Sequence, residues 1–114
     1  MDKLSKKELK EQYKSRAVIG GVYCIKCNSN GRKWIKSTMD MTGQKNRFDF
    51  SVSINSCLEP SMRLEWKQYG PKSFSFTILE EIKKGETQTE REFADDVDTL
   101  LEMWVEKQQQ EDLK

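Results

Sequence analysis

The 114-residue chain reads as an α+β domain, a small and mainly antiparallel sheet of three or four strands flanked by helices. Three observations predict this. Val22-Tyr23-Cys24-Ile25-Lys26-Cys27 and Arg32-Lys33-Trp34-Ile35-Lys36-Ser37-Thr38 are strand-like runs on either side of the turn Asn28-Ser29-Asn30-Gly31. Phe74, Phe76 and Ile78 alternate with polar residues at the strand period. Phe93, Val97, Leu100, Leu101 and Trp104 recur at the helical period.

In chain order, Ser5-Lys6-Lys7-Glu8 fits a capping box, and Leu4, Leu9 and Tyr13 form a thin apolar stripe, so an amphipathic helix is expected within residues 1–18. Gly20-Gly21 ends that approach and leads into the hairpin, whose turn is carried by Asn and Gly, residues that tolerate positive φ. Met39 to Lys45 fits either a loop or a single helical turn. Phe48, Phe50, Val52 and Ile54 then alternate with Asp49, Ser51 and Ser53, which predicts a further strand with one buried face. Pro60 suits a first helical turn, Met62, Leu64, Trp66 and Tyr69 follow at helical spacing, and Gly70-Pro71 stops that helix. The strand beginning at Phe74 runs to about Ile82, and Lys84-Gly85 turns the chain. Thr87-Gln88-Thr89-Glu90 reads as a second capping box, opening a helix to about Gln109. The expected organisation is one domain over residues 1–114, with a core at 20–107 and a fraying tail at 108–114.

Composition narrows the function classes. A chain of this length forms one core, and its 35% hydrophobic residues are clustered enough to build it despite 34% charged residues. There is no run of 18 apolar residues and no apolar stretch at the N-terminus, so neither a membrane partner nor a secretory leader is expected, and cytoplasmic localisation is. Cys24, Cys27 and Cys57 form no disulfide framework, and one C-x-x-C in a chain without histidine cannot complete a zinc site. Net charge is only +1, but it is unevenly placed. Residues 1–78 hold 15 of the 20 Lys+Arg and 7 of the 19 Asp+Glu, leaving the last 36 residues strongly acidic. A basic face able to meet phosphates beside an acidic segment is one reading; two solvated surfaces of opposite sign is the other.

Gly21-Val22-Tyr23, the turn at Asn30-Gly31 and Trp34-Ile35-Lys36-Ser37-Thr38 together resemble the opening hairpin of the GIY-YIG nuclease domain. Leu64-Glu65-Trp66-Lys67-Gln68-Tyr69-Gly70-Pro71 and Phe74-Ser75-Phe76-Thr77-Ile78-Leu79-Glu80-Glu81 are similar to that family's central helix and the strand after it. Leu101-Glu102-Met103-Trp104-Val105-Glu106-Lys107 is similar to its metal-binding helix. The resemblance spans residues from about Gly20 to Lys107.

It implies a domain that hydrolyses a DNA phosphodiester bond. In such a domain a helix glutamate holds one divalent cation, hairpin tyrosines position or activate water, and an arginine stabilises charge on the phosphate. Carried over residue by residue, Tyr23 is the candidate water-positioning hydroxyl. Trp34 stands in place of the second tyrosine, and an indole cannot act as a general base. Lys36 stands in place of the motif's glycine. The arginine position falls near Gln44, with Arg47 three residues on as the candidate. Glu102 is the candidate metal ligand when Trp104 is aligned with the family's aromatic pair, for Mg or Mn if the chain is active. The other alignment puts Leu101 there, and helical phase turns Glu102 nearly opposite the apolar stripe.

The expectation is therefore a GIY-YIG-like domain with a degraded catalytic set. It would still bind nucleic acid, DNA above all, through Lys26, Arg32, Lys33, Lys36, Lys45 and Arg47. Two alternatives stay open: an active Mg- or Mn-dependent endonuclease using Tyr23, Arg47 and Glu102, and a module that meets a protein partner through the acidic C-terminal helix.

Overall fold

The structure is a computed structural model that describes residues 18–57 and 59–112. The expected N-terminal amphipathic helix lies outside the described residues. The described elements are β1 (Ile19–Cys27), β2 (Lys33–Thr38), α1 (Met41–Ser53), α2 (Arg63–Tyr69), β3 (Phe74–Lys83) and α3 (Glu90–Asp112), with short 3-10 turns at Pro60–Met62 and Pro71–Ser73. The sheet is antiparallel, three-stranded and ordered β2-β1-β3. The fold is α+β, as the strand and helix periods predict.

Strand alternation divides the packing into two layers. Tyr23, Ile25 and Cys27 face one side of the sheet with their cross-strand partners Lys36, Trp34, Ile78, Phe76 and Phe74. On that side Trp34, Met41, Phe48, Met62, Trp66 and Phe74 complete a continuous core, the helices being α1 and α2. The aromatic rings lock together: Tyr23 stacks on Phe76 at 4.8 Å and 16°, and Trp66 lies 4.9 Å from Phe74. Val22 and Cys24 face the other side, where α3 packs on β1 and β2. Phe93 and Val97 of α3 are buried there, and a Cβ on Gly20 would come within 3.1 Å of Phe93 Cζ. Burying each such large side chain stabilises the fold by about 1.5–3 kcal/mol.

The β1–β3 ladder slips between Val22 and Tyr23. Val22 faces Glu80 while Tyr23 faces Ile78, leaving Leu79 as the extra residue of a bulge. Gly21 sits beside it with φ 146°, where a Cβ would fall 2.0 Å from the Glu80 carbonyl oxygen. Only glycine fits that approach.

The predicted strand over Phe48–Ile54 is instead the second half of α1. Asp40 caps this helix, its carboxylate accepting from Gly43 N–H at 3.1 Å. The buried residues Met41, Phe48 and Ser51 recur at helical spacing, whereas Phe50 and Ile54 point outward. The period-two pattern was therefore incidental, because half of its apolar residues are exposed. The second capping box lies two residues later than expected. Thr89 Oγ1 accepts from Glu92 N–H and Glu92 Oε1 accepts from Thr89 N–H, each at 3.1 Å. The last helix runs to Asp112 rather than to about Gln109, so the described part of the expected fraying tail is helical.

Candidate nucleic-acid interface

Register and capping together build an open cleft of about 460 Å³ at the β2 side of the sheet, lined by Tyr23, Ile35, Lys36, Ser37, Gln44, Arg47, Glu59 and Leu101. Tyr23 and Lys36 are direct partners in the β1–β2 ladder and so project on one face. Gln44 and Arg47 lie three apart on α1, adjacent on one helix surface. The Asp40 cap starts that helix right after β2, which brings both side chains beside the strand. A smaller cavity of about 20 Å³, room for a single water, lies behind the cleft and shares Tyr23, Gln44 and Glu59 with it.

Charge in the cleft is set by three groups. Lys36 Nζ lies 3.4 Å from Glu59 Oε2, and both side chains are about one third exposed. Arg47 is exposed and makes no salt bridge among the described residues. Burial pushes the Tyr23 phenol above its ordinary 10.0; the Glu59 carboxylate pushes the same way and the Arg47 guanidinium opposes them. Tyr23 is therefore a neutral hydroxyl at physiological pH, able to donate or accept a hydrogen bond.

The sequence-derived candidates separate into groups. Tyr23, Lys36 and Arg47 meet in the cleft. Lys26 and Lys33 are cross-strand partners nearer the hairpin tip, on the face opposite Tyr23. Arg32 is engaged elsewhere: Nη1 donates to Glu65 Oε1 at 2.6 Å, and its guanidinium lies 4.8 Å from the Trp34 ring centroid. The Arg32 hydrogen bond holds the Glu65 carboxyl below its ordinary value. Lys45 pairs with Asp49 one helical turn on, at 3.2 Å, and lies 5.9 Å from the Phe76 ring. Trp34 is buried against Phe74 and lines no part of the cleft, so it acts in packing.

Glu102 is exposed on α3 and does not line the cleft; its neighbour Leu101 does. Glu102 therefore stands outside the cleft, on the exposed surface of α3. Sequence reading missed Glu59, which precedes Pro60 in a connecting segment. Its only local signal is an acidic residue before a helix start, and its reach into the cleft is purely tertiary.

A cation of the Mg²⁺ or Mn²⁺ type needs hard oxygen ligands. The residues present do not fit one well. Glu59 is the one carboxylate among the described residues lining the cleft, and it is paired with Lys36. Among the described residues no three Cys, Asp or Glu side chains gather as a metal site, and the chain has no histidine. The buried cysteines add none: burial raises the Cys24 thiol above its ordinary value, and Cys24 and Cys27 are free thiols. No described helix is long and apolar enough to cross a membrane.

No family model matches the chain, and no curated protein matches it closely enough to count as a relative. Solved structures do resemble it. The catalytic domain of intron endonuclease I-TevI, in a mutant form, superposes with a TM-score of 0.56 at 19% identity, over 78% of this chain and 82% of that one. A second structure, the catalytic domain of homing endonuclease I-TevI, gives 0.56 at 20% identity, over 77% and 86%. At that identity the likeness speaks to architecture alone, and the architecture is plain: the chain has a GIY-YIG nuclease-like fold.

Proposed function

We propose that this domain binds nucleic acid, with DNA phosphates entering the cleft beside β2, and that its phosphodiester hydrolysis is weak or lost. The observation that carries the binding reading is the meeting of Lys36, Arg47 and Tyr23 on one open cleft. Arginine offers a planar fork to phosphate oxygens, lysine a mobile point charge, and a neutral phenol a further hydrogen bond. The likeness in fold to endonuclease catalytic domains supports nucleic acid as the polymer that carries those phosphates. The chemistry in place supports weak hydrolysis. An indole core residue stands where a second phenol is expected, and an aliphatic side chain stands where α3 meets the cleft.

Fluorescence anisotropy of labelled duplex, branched and single-stranded DNA tests the reading. Affinity should fall steeply between about 50 and 200 mM salt, as counterion release requires. Absence of salt-sensitive binding to all three at low salt would overturn it.

A second reading, an active endonuclease, draws on one specific feature. Glu59 brings a carboxylate to the same cleft as Tyr23 and Arg47. Nicking of supercoiled plasmid with Mg²⁺ or Mn²⁺, abolished by Tyr23→Phe, would establish it; intact plasmid across both metals would reject it.

A further inference from the structure

We infer that the cleft takes its phosphate without a divalent cation, with Lys36 Nζ providing the local positive charge and Glu59 serving as an internal counter-ion that the phosphate displaces. This rests on the phosphate-binding reading of the cleft and concerns how that phosphate is held.

Three observations converge. The first is the placement of the amine. Lys36 stands opposite Tyr23 in the ladder, so sheet pairing delivers its side chain to the cleft wall, where it is only 31% exposed. The second is the placement of the carboxylate. Glu59 Oε2 lies 3.4 Å from that amine, at the distance of an ion pair. A divalent cation on Glu59 would sit beside a fixed ammonium, and like charges that close repel strongly in a partly desolvated site. The third is the helix that reaches the cleft. α3 turns Leu101 inward and leaves Glu102 exposed, so this wall provides no oxygen ligand.

Charge balance favours the exchange. Lys36, Glu59 and Arg47 together carry one net positive charge at neutral pH. A phosphodiester that takes the place of Glu59 beside Lys36 meets two cations, one at Lys36 and one at Arg47. Its anionic oxygens replace a carboxylate on the ammonium, and the freed carboxylate is exposed enough to return to water. No resident ion is required at any point.

The test uses the full chain and a labelled DNA duplex, comparing EDTA with Mg²⁺ at matched ionic strength. Affinity should be no tighter in Mg²⁺ than in EDTA, since the protein's own cations do the neutralising and Mg²⁺ only competes for the DNA phosphates. Lys36→Gln should weaken binding in both buffers by about fivefold, and Lys36→Arg should restore most of it. Glu59→Gln should tighten binding in EDTA by removing the competing carboxylate. Calorimetric titration of Mn²⁺ alone into the protein should show no saturable binding.

Binding about tenfold tighter with Mg²⁺ than with EDTA would overturn the inference while leaving the phosphate reading intact. So would saturable Mn²⁺ binding that Glu59→Gln abolishes. No binding in either buffer at low salt would overturn the phosphate reading and this inference with it.

Discussion

Tyr23 and Lys36 stand directly opposite each other in the β1–β2 ladder and line the same cleft, so one rung of the sheet sets a neutral phenol beside a cation. That rung and the helix that brings Arg47 to it together form the basic wall of the cleft. Strand register fixes the face from which each projects, and a one-residue slip of either strand would turn that strand's side chain to the other face.

Lys36 and Arg47 should therefore carry DNA affinity that the remaining basic residues do not. Lys36→Gln or Arg47→Gln should weaken duplex binding several-fold and lower the salt slope by about 1 each. Lys26→Gln with Lys33→Gln removes a like-charged cross-strand pair on the opposite face and should change the affinity less than either. Anisotropy titrations at several salt concentrations check both statements.

The Tyr23 phenol should titrate later than a free tyrosine. Burial and Glu59 raise its pKa above 10.0 and Arg47 lowers it, so Glu59→Gln should move it down and Arg47→Gln up. A near-ultraviolet difference titration against Tyr23→Phe isolates this group from the other tyrosines. The sign for stability is fixed by linkage. The folded state holds the proton more tightly, so stability is unaffected below the unfolded value of 10.0 and falls as pH rises from there through the folded pKa.

Acid should loosen the domain through Glu65. Its hydrogen bond from Arg32 depresses the folded-state pKa below 4.5, so this contribution is present above pH 4.5 and is lost as pH falls through the folded value. Denaturant midpoints across that range should show Arg32→Met destabilising at neutral pH and nearly silent once Glu65 is protonated. An equal effect at both pH values would assign Arg32 to packing over Trp34 alone.

Three substitutions away from the cleft report on the scaffold. Phe93→Ala should cost about 3–5 kcal/mol, because Phe93 is fully buried beneath Gly20. Gly21→Ala meets the Glu80 carbonyl at a φ of 146° and should cost at least about 1–3 kcal/mol. Thr89→Ala removes one half of the capping box and should cost about 1 kcal/mol. Urea denaturation measures all three.

The hairpin, the Pro60–Gly70 helix, the Phe74 strand and the last helix were legible because each had a clear period and a chemical stop. The Phe48–Ile54 segment was not. Its alternation mimicked a strand, while the deciding signal, Asp40 as an N-cap with Met41, Phe48 and Ser51 at helical spacing, is spread over 12 residues. At the site, Tyr23 and Lys36 could be read from strand pairing, and the phase of the last helix already turned Glu102 away from the apolar stripe. Arg47 precedes the segment expected as the Phe48 strand and arrives instead from a helix. Arg32 looked like a free basic residue until its partner, Glu65, came from 33 positions along the chain. Glu59 was missed because an acidic residue before a helix start does not reveal its ion pair with Lys36 across the fold.

An amide NMR titration of the labelled domain with a short DNA duplex tests the cleft most directly. Shifts should concentrate at Tyr23, Lys36, Ser37, Gln44 and Arg47, the walls of the cleft. They should spare the acidic surface of α3 around Asp95 and Asp98. Perturbation that maps to Lys26 and Lys33 instead, with the cleft unchanged, would contradict it.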